Sequence, residues 1–82
     1  MRENAGYEII KSIILPHCEF VLGKKKNEKG TKYVTWRCYQ FTNYCYGHYI
    51  ESLETATLDL YERAKDELDF IISNLQEKEN EA

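Results

Sequence analysis

Cys18, Cys38, Cys45 and His48 are the side chains of this sequence that look most suited to chemistry. Thiolate and imidazole are good zinc ligands, and four of them would complete a tetrahedral site. The spacing argues against one. Zinc motifs take close ligand pairs from tight turns, whereas no Cys-x-x-Cys pair occurs here. Cys45 and His48 lie three apart on an expected strand, which points them to opposite faces. A Cys–His nucleophile would also need an orienting third group and an oxyanion site, and the sequence marks neither. An odd number of cysteines without close pairs suits buried, reduced thiols in a cytosolic protein better than a disulfide framework. No metal, no cofactor and no enzymatic activity are expected.

Charge supplies three further candidate sites. Glu51 precedes an expected helix, and Asp59, Glu62, Asp66 and Asp69 recur along it opposite its apolar stripe. Helical neighbours three and four apart sit about 5–6 Å from one another, close to the spacing of phosphates along a nucleic-acid strand. Such a row can imitate a phosphate backbone, although it also describes any solvated helix face. Leu58 and Phe70 flank it and favour a protein contact. On the longest expected strand, Tyr33, Arg37 and Tyr39 share one face, a combination favoured at interaction surfaces. Lys24, Lys25 and Lys26 form a basic run that could contact phosphate or simply keep a hairpin tip soluble.

These residues require elements to position them. "YEIIKSIIL" (7–15) alternates as a strand that Pro16 would end, and "CEFVLG" (18–23) reads as a second. Asn27 and Gly30 mark the polar segment from Lys24 to Thr31 as an exposed hairpin loop. "KYVTWRCYQF" (32–41) is rich in β-branched and aromatic residues and contains no breaker. A turn at Thr42–Asn43 leads into "YCYGHYI" (44–50). Ser52 is placed to cap a helix over about 53–76, with Glu54 favourable in its first turn. Its apolar stripe comprises Leu53, Thr57, Leu60, Ala64, Leu68, Ile71 and Leu75, with Ala56, Tyr61 and Ile72 at the edges. Residues 77–82 form a charged tail. The expected fold is α+β: an antiparallel β-meander of three to four strands followed by one long C-terminal α-helix packed on one sheet face. Strand alternation predicts Val34, Trp36 and Cys38 beneath the helix, sharing a core with Leu60, Ala64 and Leu68. Tyr33, Thr35, Arg37, Tyr39 and Phe41 are then expected on the open face, which must be solvated or meet a partner.

Composition bounds what the chain can be. Eighty-two residues make one small domain. With 43% hydrophobic and 30% charged residues the chain reads as globular rather than disordered. No apolar run approaches the roughly 20 residues that span a bilayer. The polar, acidic start does not read as a secretory signal, so a cytoplasmic location is expected. A net charge of −3 disfavours binding to nucleic acid by the molecule as a whole. The basic run at 23–32 and the acidic stretch at 51–82 nevertheless divide the charge unevenly.

"YVTWRCYQFTNYCYGHYIESLETATLDLYERA" resembles a pattern in small proteins carried by phages and conjugative elements of Gram-positive bacteria. There a "VTW" strand, a "GHY" strand and a helix opening S-x-E-x-A follow in the same order. The resemblance implies an anti-defence setting: a host-cell inhibitor, anti-CRISPR-like, that binds a host protein such as a defence nuclease. A Trp- and Arg-bearing strand, an aromatic strand and the same helix opening also look like the three-stranded DNA-binding domains of tyrosine integrases and plant ethylene-response factors. That likeness implies a sheet laid in the major groove, but the chain is acidic and carries little Arg or Lys on the strand. A homodimer paired through the open sheet face is a third expectation.

Overall fold

Every reversal of the chain up to Ile50 is a short antiparallel turn. The computed structural model describes the backbone of residues 2–81 and the side chains of residues 2–76. The elements run β1 (Glu3–Asn4), β2 (Tyr7–Ile14), β3 (Glu19–Asn27), β4 (Gly30–Tyr39), β5 (Asn43–Ile50) and α1 (Leu53–Glu81). The strands pair in sequence order, each antiparallel to the next. The fold is therefore α+β, a curled meander with one C-terminal helix across it. It has one strand more than the alternation pattern revealed, because β1 holds only two residues.

The turns are tighter than their composition suggests. Ala5 and Gly6 both adopt positive φ between Asn4 and Tyr7, the twist that a two-residue hairpin favours. Gln40 and Phe41 do the same, and the Thr42 amide donates to the Tyr39 carbonyl at 3.3 Å. That turn precedes the one expected at Thr42–Asn43. The polar segment after Gly23 is not a loop. Lys24–Asn27 and Gly30–Tyr33 continue the β3–β4 ladder, and only Glu28 and Lys29 turn, helped by the Lys29 amide donating to Asn27 Oδ1 at 2.9 Å. Beyond Lys24 and Tyr33 neither β2 nor β5 pairs with this ribbon, so it projects as a two-stranded arm.

Two bulges curl the sheet. Ile10 is an extra residue between Ile9 and Lys11 on β2. On β5, Tyr46 and Gly47 together oppose Trp36, with Tyr46 at φ 55°. Bulges bend a strand and increase its twist, and here the bend makes the helix-free face concave. Tyr7, Val21, Val34, Trp36 and Cys38 are buried there, with Ile9 and Tyr44 packed beside them. Tyr7 and Tyr44 each meet the Trp36 indole edge-on, at centroid distances of 5.6 and 5.5 Å. Gly47 is required by the close approach, since a Cβ there would lie 2.9 Å from Trp36 Nε1.

The predicted face assignment is thus reversed. Trp36 is 4% exposed, but in the concave core and not beneath α1. The helix instead covers Cys18, Phe20 and Leu22 with Ala56, Leu60 and Ala64, and Tyr33, Tyr39 and Ile50 pack against that cluster. The sheet face expected to be open is the helix face. The other face is closed by its own curl. β3 lies between the two cores and is buried on both sides from Glu19 to Gly23, which accounts for its unbroken apolar run.

Ser52 caps α1 as its position predicts: the Thr55 amide donates to Ser52 Oγ at 3.3 Å, and the Ala56 amide to the Ser52 carbonyl at 2.9 Å. The helix does not stop near 76 but continues to Glu81; Ala82 and the side chains of the expected charged tail lie outside the described residues.

Candidate functional site

The helix–sheet interface holds a polar network where an apolar seam is expected. Thr35 is fully buried, and its hydroxyl lies 2.5 Å from Asp59 Oδ2. Arg63 Nη1 donates to both the carbonyl and the Oγ1 of Thr35 at 3.0 Å. Asp59 also meets His48 Nδ1 at 2.9 Å. One turn further along α1, Glu67 pairs with Arg37 at 3.2 Å, and the Arg37 guanidinium lies over the rings of Phe20 and Tyr39. Arg63 stacks on Phe20 as well, and desolvation holds its pKa below the ordinary arginine value. Buried charges are tolerated when paired and hydrogen-bonded, and these contacts supply the pairing.

This network corrects two expectations. Asp59 is not part of an outward row, because it turns inward to Thr35 and His48. Tyr33, Arg37 and Tyr39 are not an open binding surface, because α1 lies over their face and Glu67 occupies the Arg37 guanidinium. The strand alternation used to orient them is correct within β4. On the face that the helix covers, Asp59 and Arg63 meet Thr35, and Glu67 meets Arg37.

Outside this interface the acidic row is shorter than the sequence suggests. Glu62, Asp66 and Asp69 are exposed on the outer side of α1. Asp69 lies 3.6 Å from Lys65, an exposed pair of the kind that contributes little to stability. Leu58 and Phe70, 58% and 62% exposed, flank the row. Glu51 precedes the helix, roughly 27 Å from Asp69 at 1.5 Å per residue, and borders a cleft with Tyr7, Lys32, Tyr33 and Tyr49. Three carboxylates rather than five form one surface. Beside it, Phe20, Arg37, Tyr46, Arg63, Asp66 and Phe70 line a shallow groove.

The β3–β4 arm is rich in lysine. Lys24, Lys25 and Lys26 are exposed along one strand of the projecting arm, and Lys29 and Lys32 accompany them. Lys25 Nζ sits 5.5 Å from the centre of the Tyr7 ring. The base of the arm, where Tyr33 pairs with Ile50, stands near the N-terminus of α1, and Glu62, Asp66 and Asp69 lie along the middle of that helix.

The thiols and His48 sit in separate surroundings. Burial pushes the Cys18 and Cys38 thiols above their usual range and keeps them protonated. The β5 bulge changes strand parity, so Cys45 and His48 share the helix face instead of facing apart. Each is already engaged, Cys45 donating to the Arg37 carbonyl at 3.4 Å and His48 meeting Asp59. Among the described residues, no group of three or more His, Cys, Asp or Glu side chains is arranged to hold a metal ion. Nor is any described helix long and apolar enough to cross a membrane.

Sequence reasoning missed the pair that closes the concave core. Glu19 is buried, and Arg2 grips its carboxylate with two bonds of 2.6 and 3.0 Å while Ser12 donates a third. Desolvation alone would raise the Glu19 pKa, but the bonds from Arg2 and Ser12 outweigh it and hold the carboxyl below its ordinary value. Arg2 also reaches the Tyr44 hydroxyl at 3.1 Å and the Phe41 carbonyl at 3.2 Å. A signal was present: a carboxylate inside the apolar run "CEFVLG" needs a cation from elsewhere in the chain. Comparison with known protein families, with characterised proteins and with solved structures returned no match for this chain.

Proposed function

We propose that this chain is a non-enzymatic inhibitor from a phage or other mobile element. It binds a host defence nuclease and offers the outer side of α1 to that enzyme's nucleic-acid groove. The observation that carries this reading is the exposed row Glu62, Asp66 and Asp69, flanked by exposed Leu58 and Phe70. Carboxylates at this spacing suit a groove lined by lysine and arginine, and their charge would accelerate encounter with it. The two apolar side chains add the desolvated contact that a charge row lacks. The mobile-element setting and the kind of target rest on the resemblance of the β4–β5–α1 pattern.

The test begins with affinity capture from a Gram-positive host lysate, followed by a cleavage assay of the captured nuclease. The triple variant Glu62→Gln, Asp66→Asn, Asp69→Asn alters only exposed side chains, so its stability should stay within about 0.5 kcal/mol of the parent. It is expected to lose inhibition and to associate more slowly. A folded triple variant that still inhibits overturns the mimic.

A second reading is favoured by the projecting arm, with exposed Lys24 at its base and four more exposed lysines along it. In it the chain binds nucleic acid through Lys24, Lys25 and Lys26. Sub-micromolar binding to duplex DNA that falls steeply with added salt would support it over the first.

A further inference from the structure

The first residue pair of the β3–β4 arm breaks a rule of strand pairing. Lys25 and Lys32 stand directly opposite each other in the ladder, so their side chains leave the same face. Like charges in that position destabilise a strand pair, whereas opposite charges stabilise it. Lys24, on the other face, follows the rule: Glu8 of β2 stands across from it. Lys25 and Lys32 are both exposed, and neither enters an ion pair among the described residues. Alternation from Gly23 and Val34 puts them on the concave side of the sheet. Lys25 is held there. Its Nζ lies 5.5 Å from the centre of the Tyr7 ring and 3.3 Å from the place that a Cβ on Gly6 would occupy. Beside the pair lies a cleft bordered by Lys32, Tyr7, Tyr49 and Glu51. Tyr49 is 68% exposed, with its ring centroid 6.3 Å from that of buried Tyr7.

We propose that Lys25, Lys32 and Tyr49 form a binding site for single-stranded nucleic acid. The two ammonium groups share one backbone phosphate, and the exposed ring of Tyr49 carries the neighbouring base. The site presupposes that the arm meets nucleic acid, the second reading of its function, and specifies which face of the arm does so and for which kind of strand. An anion between the two lysines removes the repulsion that the fold leaves in place, and backbone phosphate oxygens are the acceptors that lysine meets on nucleic acid. A free phosphate would satisfy the lysines equally but leave the ring unused. Bases of a single strand stack on exposed aromatic side chains without regard to sequence. A duplex keeps its bases stacked on one another and offers Tyr49 none. Glu51 repels phosphate from its own end of the cleft, which sets the direction: phosphate toward the arm, base toward β5.

Fluorescence anisotropy tests the site, with the full chain titrated at low salt into a labelled oligothymidylate of about 12 nucleotides, within the length that one small domain covers. The wild type is expected to bind with a dissociation constant on the order of 10 μM, inside the range of sequence-independent binding. Lys25→Gln with Lys32→Gln should weaken binding at least roughly tenfold, whereas Lys24→Gln with Lys26→Gln, the same charge change on the other face, should weaken it only about twofold. Tyr49→Ala should cost roughly tenfold, the loss of one stacked base. Each variant alters exposed side chains, so unfolding curves should match the wild type, and removal of the opposed lysines should not lower stability. Equal losses from the two lysine pairs would overturn the site, since overall charge would then explain the binding. Unchanged affinity in Tyr49→Ala would overturn it too, leaving a phosphate contact alone. A duplex of the same length bound as tightly as the strand would overturn the single-strand assignment and sustain the second reading of the arm. No binding to strand or duplex would remove both.

Discussion

The two faces of the sheet reach similar burial by different means. Beneath α1, burial depends on a separate element, and the polar groups it covers meet helix side chains. Asp59 and Arg63 bond Thr35, and Glu67 pairs with Arg37, whose buried Nε alone stays without a partner among the described residues. On the concave face the sheet covers itself. There the cover comes from two bulges, a set of aromatic rings, and an N-terminal arginine closing the end of the sheet. A five-stranded sheet with one helix therefore need not leave a face open. Curvature can substitute for a second layer in so small a domain, at the cost of admitting a buried carboxylate.

The largest expected effect tests whether the concave core bears weight without a covering layer. Trp36→Ala removes the ring that Tyr7 and Tyr44 pack against and should destabilise the fold by about 3–5 kcal/mol, measured by urea or thermal unfolding. A loss below about 1 kcal/mol would mean that the curled face is a loose surface and that the helix side alone holds the domain together.

Arg2→Met probes the charge at the end of that core. The variant leaves the buried Glu19 carboxylate without its cation, but Arg2 itself is 34% exposed, so a loss of about 2 kcal/mol is expected at neutral pH. The pH dependence sharpens the comparison. In the wild type the Glu19 pKa is depressed below 4.5, so its contribution is fully present above that value and lost as pH falls through the depressed pKa. Without Arg2, burial becomes the dominant influence and should push the carboxyl upward. The variant's stability should then rise on acidification over the interval just above 4.5, where the wild type is flat. Unfolding curves at several pH values read the sign directly, and identical slopes for the two proteins would show that Arg2 does not govern Glu19.

A smaller change is expected on the helix side. Asp59→Asn keeps the shape of the network but weakens its bonds to Thr35 and His48, at about 1 kcal/mol. Because Asp59 faces the sheet, this variant should leave target inhibition intact under the proposed function, unlike neutralisation of Glu62, Asp66 and Asp69. Inhibition lost by Asp59→Asn at unchanged stability would return Asp59 to the binding surface.

Local patterns made much of the fold legible. β-branched and aromatic residues without a breaker mark β4, Ser52 marks the helix start, and the long stripe without Gly or Pro marks α1 itself. These features depend on neighbours within a few residues, and a single sequence displays them. The candidate site was legible only in part. Glu62, Asp66 and Asp69 followed from helical periodicity, whereas Asp59 shares that periodicity and turns inward because Thr35, 24 residues away, offers it a hydroxyl.

Tertiary structure alone decided which face of the sheet the helix covers. Alternation separates the side chains of β4 into two correct sets but is symmetric between them. The choice is made by the partners each set can find across the chain. The bulges at Ile10 and at Tyr46–Gly47 add a second layer of ambiguity, since one inserted residue reverses the parity of everything beyond it, as with Cys45 and His48. The pairing of Arg2 with Glu19 is likewise invisible locally: the need for a cation is written in residues 18–23, but its source is fixed only when the sheet curls and brings the N-terminal segment across its end.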